Sequence, residues 1–559
     1  MQLDIYSTGN TGDLPLTVAR KMTLSTLLEA FGHILHSFTR GVSEHYNPDE
    51  PEFTFESFGY SPLESTGREW YCHPVDELIY QEYSDREATS LNYLTSTSLN
   101  ITVTNASSLA EENEETQAHP QERNKEIAWK QLRPSALCTI CKSMYIGALI
   151  SIATAISMGT IYMMVTYLSF KTSHVCQYYP VNSTSIEIQW VRSMTDIISC
   201  SFLYIWFFAI LLLVFRPFQL MGIKRTLLMI CFLTYSLDTI YRVALQALGI
   251  SHSRLSNVQK LPLRACILTN QCLQTYVLTN YFCTSSRQKL TMFVQMVVPS
   301  FLCLLPFVLV DTLIYPAYNQ ANEDGKLLIA VFAPLIGVIV KVTCRICVQR
   351  LYNIVYPGYS YICLSAFYFG SAIFFRILQA DLGSLEAIVI LGTIHGAAEV
   401  VERSTIVLID HFCYVIWRRA PAPWGSFRTP GRVRLTADIA IMSMLYESTA
   451  IVAVNGYLYL YQFIFVGKYP LDKLLRSFSI HTAVPLAIEW VFNSVSLAIE
   501  SRYQNMAVMA VWRRRWKRHI LVAVVNAVPV CLWSSSNLLD ILHGRFSETS
   551  TQLCKMPFT

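Results

Sequence analysis

Repeated apolar runs of about twenty residues, separated by short polar segments, constrain this chain more than any other feature. A helix rises about 1.5 Å per residue, so a run of about twenty residues crosses a hydrocarbon core of about 30 Å. Several such runs in one chain leave little room for a soluble fold. Eleven candidate spans can be placed, at approximately 144–170, 197–215, 226–249, 265–283, 291–315, 327–348, 359–379, 385–416, 437–466, 479–499 and 519–540. The expected fold class is therefore all-α, a polytopic integral membrane helical bundle with about eleven transmembrane helices. The fourth span is the most polar. It carries Asn270, Gln271, Gln274 and Asn280 and also reads as an amphipathic helix. The eighth and ninth are long enough to be tilted, to extend into the cytosol or to be broken.

Charge sets the domain organisation. Only 15% of the residues are charged, against about 25% in ordinary soluble domains. The deficit is uneven: residues 44–126 hold eighteen Asp and Glu against four Lys and Arg, so the remainder is basic. Residues 1–135 read as an acidic, largely disordered cytosolic tail, with Ser, Thr, Glu and Pro abundant. One amphipathic helix is expected within it at 22–38, where apolar residues recur at helical spacing. Residues 136–545 form the transmembrane helical domain, and 546–559 a short C-terminal tail. Met1 to Asp13 shows no basic start followed by an apolar run, so the first span is expected to serve as the targeting signal.

Cytosolic loops are enriched in Lys and Arg. With the N-terminus inside and eleven alternating crossings, the inner segments hold twenty-two basic residues and the outer segments eleven. This predicts a multi-pass protein of the plasma membrane or an endomembrane, with a cytosolic N-terminus and an outer or lumenal C-terminus. Asn100, Asn105 and Asn182 each begin an N-x-S/T triplet, and only Asn182 falls outside. It is the expected glycosylation site.

Sixteen cysteines raise the question of a disulfide scaffold. Most lie inside apolar runs, where Cys acts as a small hydrophobe, and the chain is far longer than small secreted domains. Two CxxC pairs, Cys138/Cys141 and Cys344/Cys347, fall at the cytosolic boundary. They could supply thiolates to zinc or take lipid, or they are unmodified thiols. The run Trp512 to His519 is the strongest basic cluster. Arg513, Arg514, Arg515, Lys517 and Arg518 read as a topological anchor that touches anionic lipid headgroups on the cytosolic side. The bilayer is thus one expected partner and an unidentified small solute or ion the other. Nucleic acid is not expected, since the basic run is short and juxtamembrane.

Charge inside a membrane costs at least about 2.5 kcal/mol per residue at a helix centre, so buried charge needs a reason. Asp238 and Arg242, four apart, read as an ion pair within span three. Lys341 and Arg345, near the cytosolic end of span six, read as snorkelling side chains. Arg376 in span seven needs an acidic partner. Glu447 and Glu489, deep in spans nine and ten, have no local basic neighbour.

The densest cluster is in span eight: His395, Glu399, Glu402 and Arg403. At about 100° per residue, His395, Glu399 and Glu402 fall within an arc of about 60°, with Arg403 beside it and Asp410 on the same side. Such a stripe faces protein or water. His with two carboxylates binds a divalent metal or relays protons; alternatively, the stripe is a structural network closed by Arg403 and by Arg376. The spacing matches no strong metal signature, and no metal or cofactor is assigned from sequence.

No GxxxxGK[ST], GxGxxG, HExxH or GxSxG occurs, so ATP-driven pumping and soluble-type hydrolysis lack support. A secondary transporter or channel-like permeation protein using the intramembrane acids fits best. The alternatives are a membrane-embedded transferase-type enzyme, with His395 and Glu399 or Glu402 as acid and base, and a receptor or scaffold acting through the acidic tail.

Overall fold

The computed structural model describes residues 136–558, apart from short stretches, chiefly 216–219, 251–256, 352–354, 419–429, 503–507 and 547–553. The tail 1–135, with the helix expected at 22–38, lies outside the described residues. Among the described residues there is no strand. The long helices are α1 (Ala136–Thr172), α2 (Ile186–Val214), α3 (Lys224–Ala247), α4 (Asn257–Phe282), α5 (Ser286–Leu309), α6 (Glu323–Gln349), α7 (Ile362–Asp381), α8 (Leu385–Arg418), α9 (Pro430–Tyr461), α10 (Leu471–Arg502) and α11 (Val508–Phe546). Each coincides with one sequence-predicted span. Eight of them are long and apolar enough to cross a membrane: α1, α2, α3, α6, α7, α9, α10 and α11. The chain is a polytopic membrane protein. The helices outlast the apolar runs, because a helix continues past the hydrocarbon edge while its side chains change character.

The ends follow from local chemistry. Ser185 caps α2 by accepting from the Ile188 amide, and Glu187 sits in the first turn, where the helix dipole favours an anion. The π-turn Gln462–Val466 extends α9 and stops at Gly467, whose φ of 58° suits glycine.

Two helices form the centre. α9 is buried on nearly every side between Arg434 and Leu458, and most of α7 is buried as well. Around them run α1, α10, α8, α6, α5, α4, α3, α2 and α11, each packed on the next, with α11 returning to α1. α1 and α9 share the most extensive contact. A Cβ at Gly159 would lie 2.9 Å from Val452 Cγ1, so a bare backbone is what brings these helices together. Polar groups then fix the rotation of the central pair. Trp206 of α2 donates to Asn526 of α11 at 3.0 Å, and Asn526 donates to Ser365 of α7 at 2.8 Å. Ser365 in turn meets the Tyr446 hydroxyl of α9 at 2.5 Å.

Sequence reading took the cysteines as small hydrophobes, but one disulfide is present. Cys176, after α1, is bonded to Cys554 of the C-terminal segment. Cys231, Cys344 and Cys531 are buried thiols outside that bond.

Candidate functional site

The polar face of α8 turns inward, as its pattern requires, while Ile394 and Val401 on the opposite face are exposed. Its charged groups meet charges from α6, α9 and α10, and the acids of α9 and α10 in turn meet Arg376 of α7. Arg376 of α7 lies between two carboxylates: Nη2 is 2.7 Å from Glu489 Oε2 of α10 and 3.1 Å from Glu447 Oε2 of α9. Its Nη1 donates to Gln379 Oε1 at 2.8 Å. The acidic partner that Arg376 needed, and the basic neighbour that Glu447 and Glu489 lacked in sequence, are therefore each other.

Asn493 carries the network down α10. It donates to Glu489 Oε1 at 2.8 Å and accepts from Arg403 Nη1 at 2.9 Å. Arg403 grips Glu500 with two parallel bonds, Nε to Oε1 and Nη2 to Oε2, both 2.8 Å. This bidentate geometry is the strongest an arginine offers a carboxylate. Glu399 takes a 2.5 Å hydrogen bond from Ser443 of α9 and lies 3.6 Å from Arg403.

His395 packs its ring on Phe375, with centroids 3.8 Å apart and planes 16° from parallel. That stack aims Nε2 at Glu447 Oε1, 3.5 Å away. His395, Glu399 and Glu447 can each present one donor atom so that all three lie within 4.8 Å of one another. The triad therefore differs from the one read in sequence: Glu447 of α9 takes the place assigned to Glu402.

Glu402 turns toward α6 and pairs with Lys341 at 3.5 Å. One turn further, Arg345 donates to Asp410 Oδ1 from Nε (3.0 Å) and Nη2 (2.7 Å), while Gln349 donates to Oδ2 at 2.7 Å. This corrects the snorkelling expectation for Lys341 and Arg345. Arg345 is fully buried, and its head reaches α8, because α6 packs its charged face on α8 rather than on lipid. Asp238 and Arg242 form the expected pair on α3, at 3.0 Å. They stand apart from the network, since α3 packs chiefly on α2 and α4.

The basic cluster lies within the first turns of α11, which starts at Val508. Arg518 leaves the headgroup row: its guanidinium sits 3.1 Å from the Tyr359 ring centroid. His519 is buried between Asp438 Oδ1, 2.9 Å away, and the stacked Tyr361 ring, while Arg434 pairs with Asp438 at 3.0 Å. Trp516 and Lys517 remain outward; the side chains of Arg513 and Arg514 lie outside the described residues. The two CxxC pairs do not converge, for Cys344 is buried on α6 while Cys138 and Cys141 are exposed on α1.

Sequence reasoning missed Asn493, Glu500, Ser443 and Gln349. The signal was present for the first two. Glu489, Asn493 and Glu500 fall within about 40° on a helical wheel, so α10 has its own polar stripe.

From His395 to Asp410 the network spans fifteen residues of α8, about 22 Å along the axis. Its outer members form neutral pairs. Its centre does not: among the described residues the four carboxylates of Glu399, Glu447, Glu489 and Glu500 face two guanidiniums, Arg376 and Arg403, which leaves two carboxylates without one when His395 is neutral. Such a centre can hold protons or a cation. No family model, curated protein or solved structure matches the chain.

Proposed function

We propose that the chain is a secondary transporter or channel-like permeation protein in which His395, Glu399, Glu447 and Glu489 carry a proton or a metal cation through the bundle. The surplus of two buried carboxylates at the centre of the network carries this reading. A charge left uncompensated in hydrocarbon is expensive, so the surplus is neutralised by something that comes and goes from water. The alignment of the network along the axis of α8 supplies the direction of travel. The acid–base enzyme that uses His395 with Glu399 or Glu402 is left with Glu399 alone, since Glu402 is committed to Lys341.

The N-terminus is placed in the cytosol and the C-terminus outside or in a lumen, in the plasma membrane or an endomembrane. The Cys176–Cys554 disulfide supports this, because such bonds persist in oxidising compartments. It also requires an even number of crossings among α2–α11, as eleven alternating spans give. Asn182, exposed in the same loop, is the carbohydrate acceptor. Trp516 and Lys517 face the cytosolic headgroups.

The test places a cysteine at Glu399 in a variant whose free cysteines are replaced. The reading expects labelling by membrane-impermeant maleimide, together with proton or cation flux in proteoliposomes that Glu447→Gln abolishes. A folded protein unlabelled from both sides and inert in flux would overturn it.

A further inference from the structure

We propose that His395, Glu399 and Glu447 bind one divalent first-row transition cation, of the Mn2+, Fe2+ or Zn2+ class; this rests on the permeation reading and names its cargo. The donor geometry comes first. Glu399 follows His395 by one helical turn, so both share the inner face of α8. Glu447 faces them from α9. His395 Nε2 and Glu447 Oε1 are 3.5 Å apart, close to the edge of a tetrahedron with bonds of about 2.1 Å, which is about 3.4 Å. The full set spans 4.8 Å, so Glu399 closes the site by a small inward shift of its carboxylate.

The second observation is the burial of His395 Nε2, which makes no hydrogen bond although the Glu447 carboxylate faces it at 3.5 Å. A buried imidazole nitrogen that makes no hydrogen bond forfeits the one that water would give it, and here the Phe375 stack fixes the ring with that nitrogen facing the carboxylate. A metal ion between the two would bond to both.

The surrounding groups behave as an orienting shell. Arg376 holds Glu447 by Oε2, which leaves Oε1 toward His395. Ser443 holds Glu399 by Oε1, which leaves Oε2 outside that contact. Glu489 is excluded from the ligand set, because Arg376 occupies one of its oxygens and Asn493 the other. A dication also cancels the surplus of two negative charges.

The donor types set the class. One imidazole with two carboxylates suits zinc, iron or manganese, whereas magnesium and calcium prefer all-oxygen shells. Three protein ligands leave coordination positions for water. Exchange through those positions is what a site that releases its ion requires.

The experiment uses the purified full-length protein in lipid nanodiscs, stripped with chelator and titrated with Mn2+ alone. One ion per chain is expected, with pulsed EPR showing coupling to an imidazole nitrogen. The EPR measurement needs only the natural sequence, so it stands even where a variant misfolds. His395→Asn and Glu447→Gln should weaken binding by about tenfold to a hundredfold, while Glu402→Gln leaves it unchanged. No stoichiometric Mn2+, or Mn2+ without nitrogen coupling, overturns the inference. Proton flux in proteoliposomes is measured in parallel. Flux that depends on Glu447 without metal binding would sink the metal site and leave permeation intact; metal binding with no flux of either ion would keep the site and sink permeation.

Discussion

Replacing Arg403 by Met tests whether the lower half of the network holds the bundle together. Arg403 is 7% exposed and Glu500 2%, so the pair is out of water. The substitution removes both bonds to Glu500 and the bond to Asn493. A buried carboxylate then stands alone, and breaking such a pair costs about 3–5 kcal/mol. The charge itself, rather than the lost contacts, dominates that figure. Replacing the whole pair with apolar groups of similar volume is often neutral or better. The double variant Arg403→Met/Glu500→Met should therefore recover at least half of what the single change loses. Unfolding in mixed micelles, followed by tryptophan fluorescence, measures both, and the cycle isolates the coupling. Additive losses, with the double variant less stable than Arg403→Met alone, would refute the reasoning.

Two further predictions follow from packing and covalent structure. A Cβ at Gly396 would lie 2.4 Å from Phe492 Cδ2 and 2.7 Å from its Cγ, so Gly396→Ala should cost about 1–3 kcal/mol by overpacking, and Phe492→Ala should relieve it in a melting assay. Cys176→Ser should lower stability by about 2–4 kcal/mol and leave Cys554 open to maleimide; in the natural protein both thiols should be silent until reduction, and Asn182→Gln should remove a glycosidase-sensitive mobility shift.

The helices were legible because the apolar runs are long and the polar breaks short. Even the amide-rich α4 forms where expected. Pairings were a different matter. The wheel shows that Arg376 and Glu447 each need a partner, but nothing local shows that 71 residues of chain bring them together. Lys341 and Arg345 illustrate the same limit. Near a helix end, a long cation that snorkels and one that reaches a neighbouring helix look identical until the neighbour is known. Glu500 and His519 were hidden for another reason. Glu500 stands one residue beyond its apolar run and His519 at the edge of its own, beside a basic cluster, where charge reads as loop, yet α10 runs to Arg502 and α11 starts at Val508.

The molecule contains its own control for the central reading. A bundle that used charge only to fix helix positions would balance each buried ion locally, since an unpaired charge costs far more than a pair returns. Elsewhere among the described residues the buried acids keep that rule: Asp238 meets Arg242, Glu402 meets Lys341, Asp410 meets Arg345, and Asp438 meets Arg434 and His519. Where α7, α8, α9 and α10 meet it fails: four carboxylates there face two guanidiniums. The helix that supplies His395 also has glycines at 392 and 396, where Gln379 and Phe492 approach its backbone, so α8 packs closely on α7 and α10 beside the surplus. An unbalanced anionic centre is costly for a scaffold. It is what a site needs if it must draw one small cation out of water and hold it.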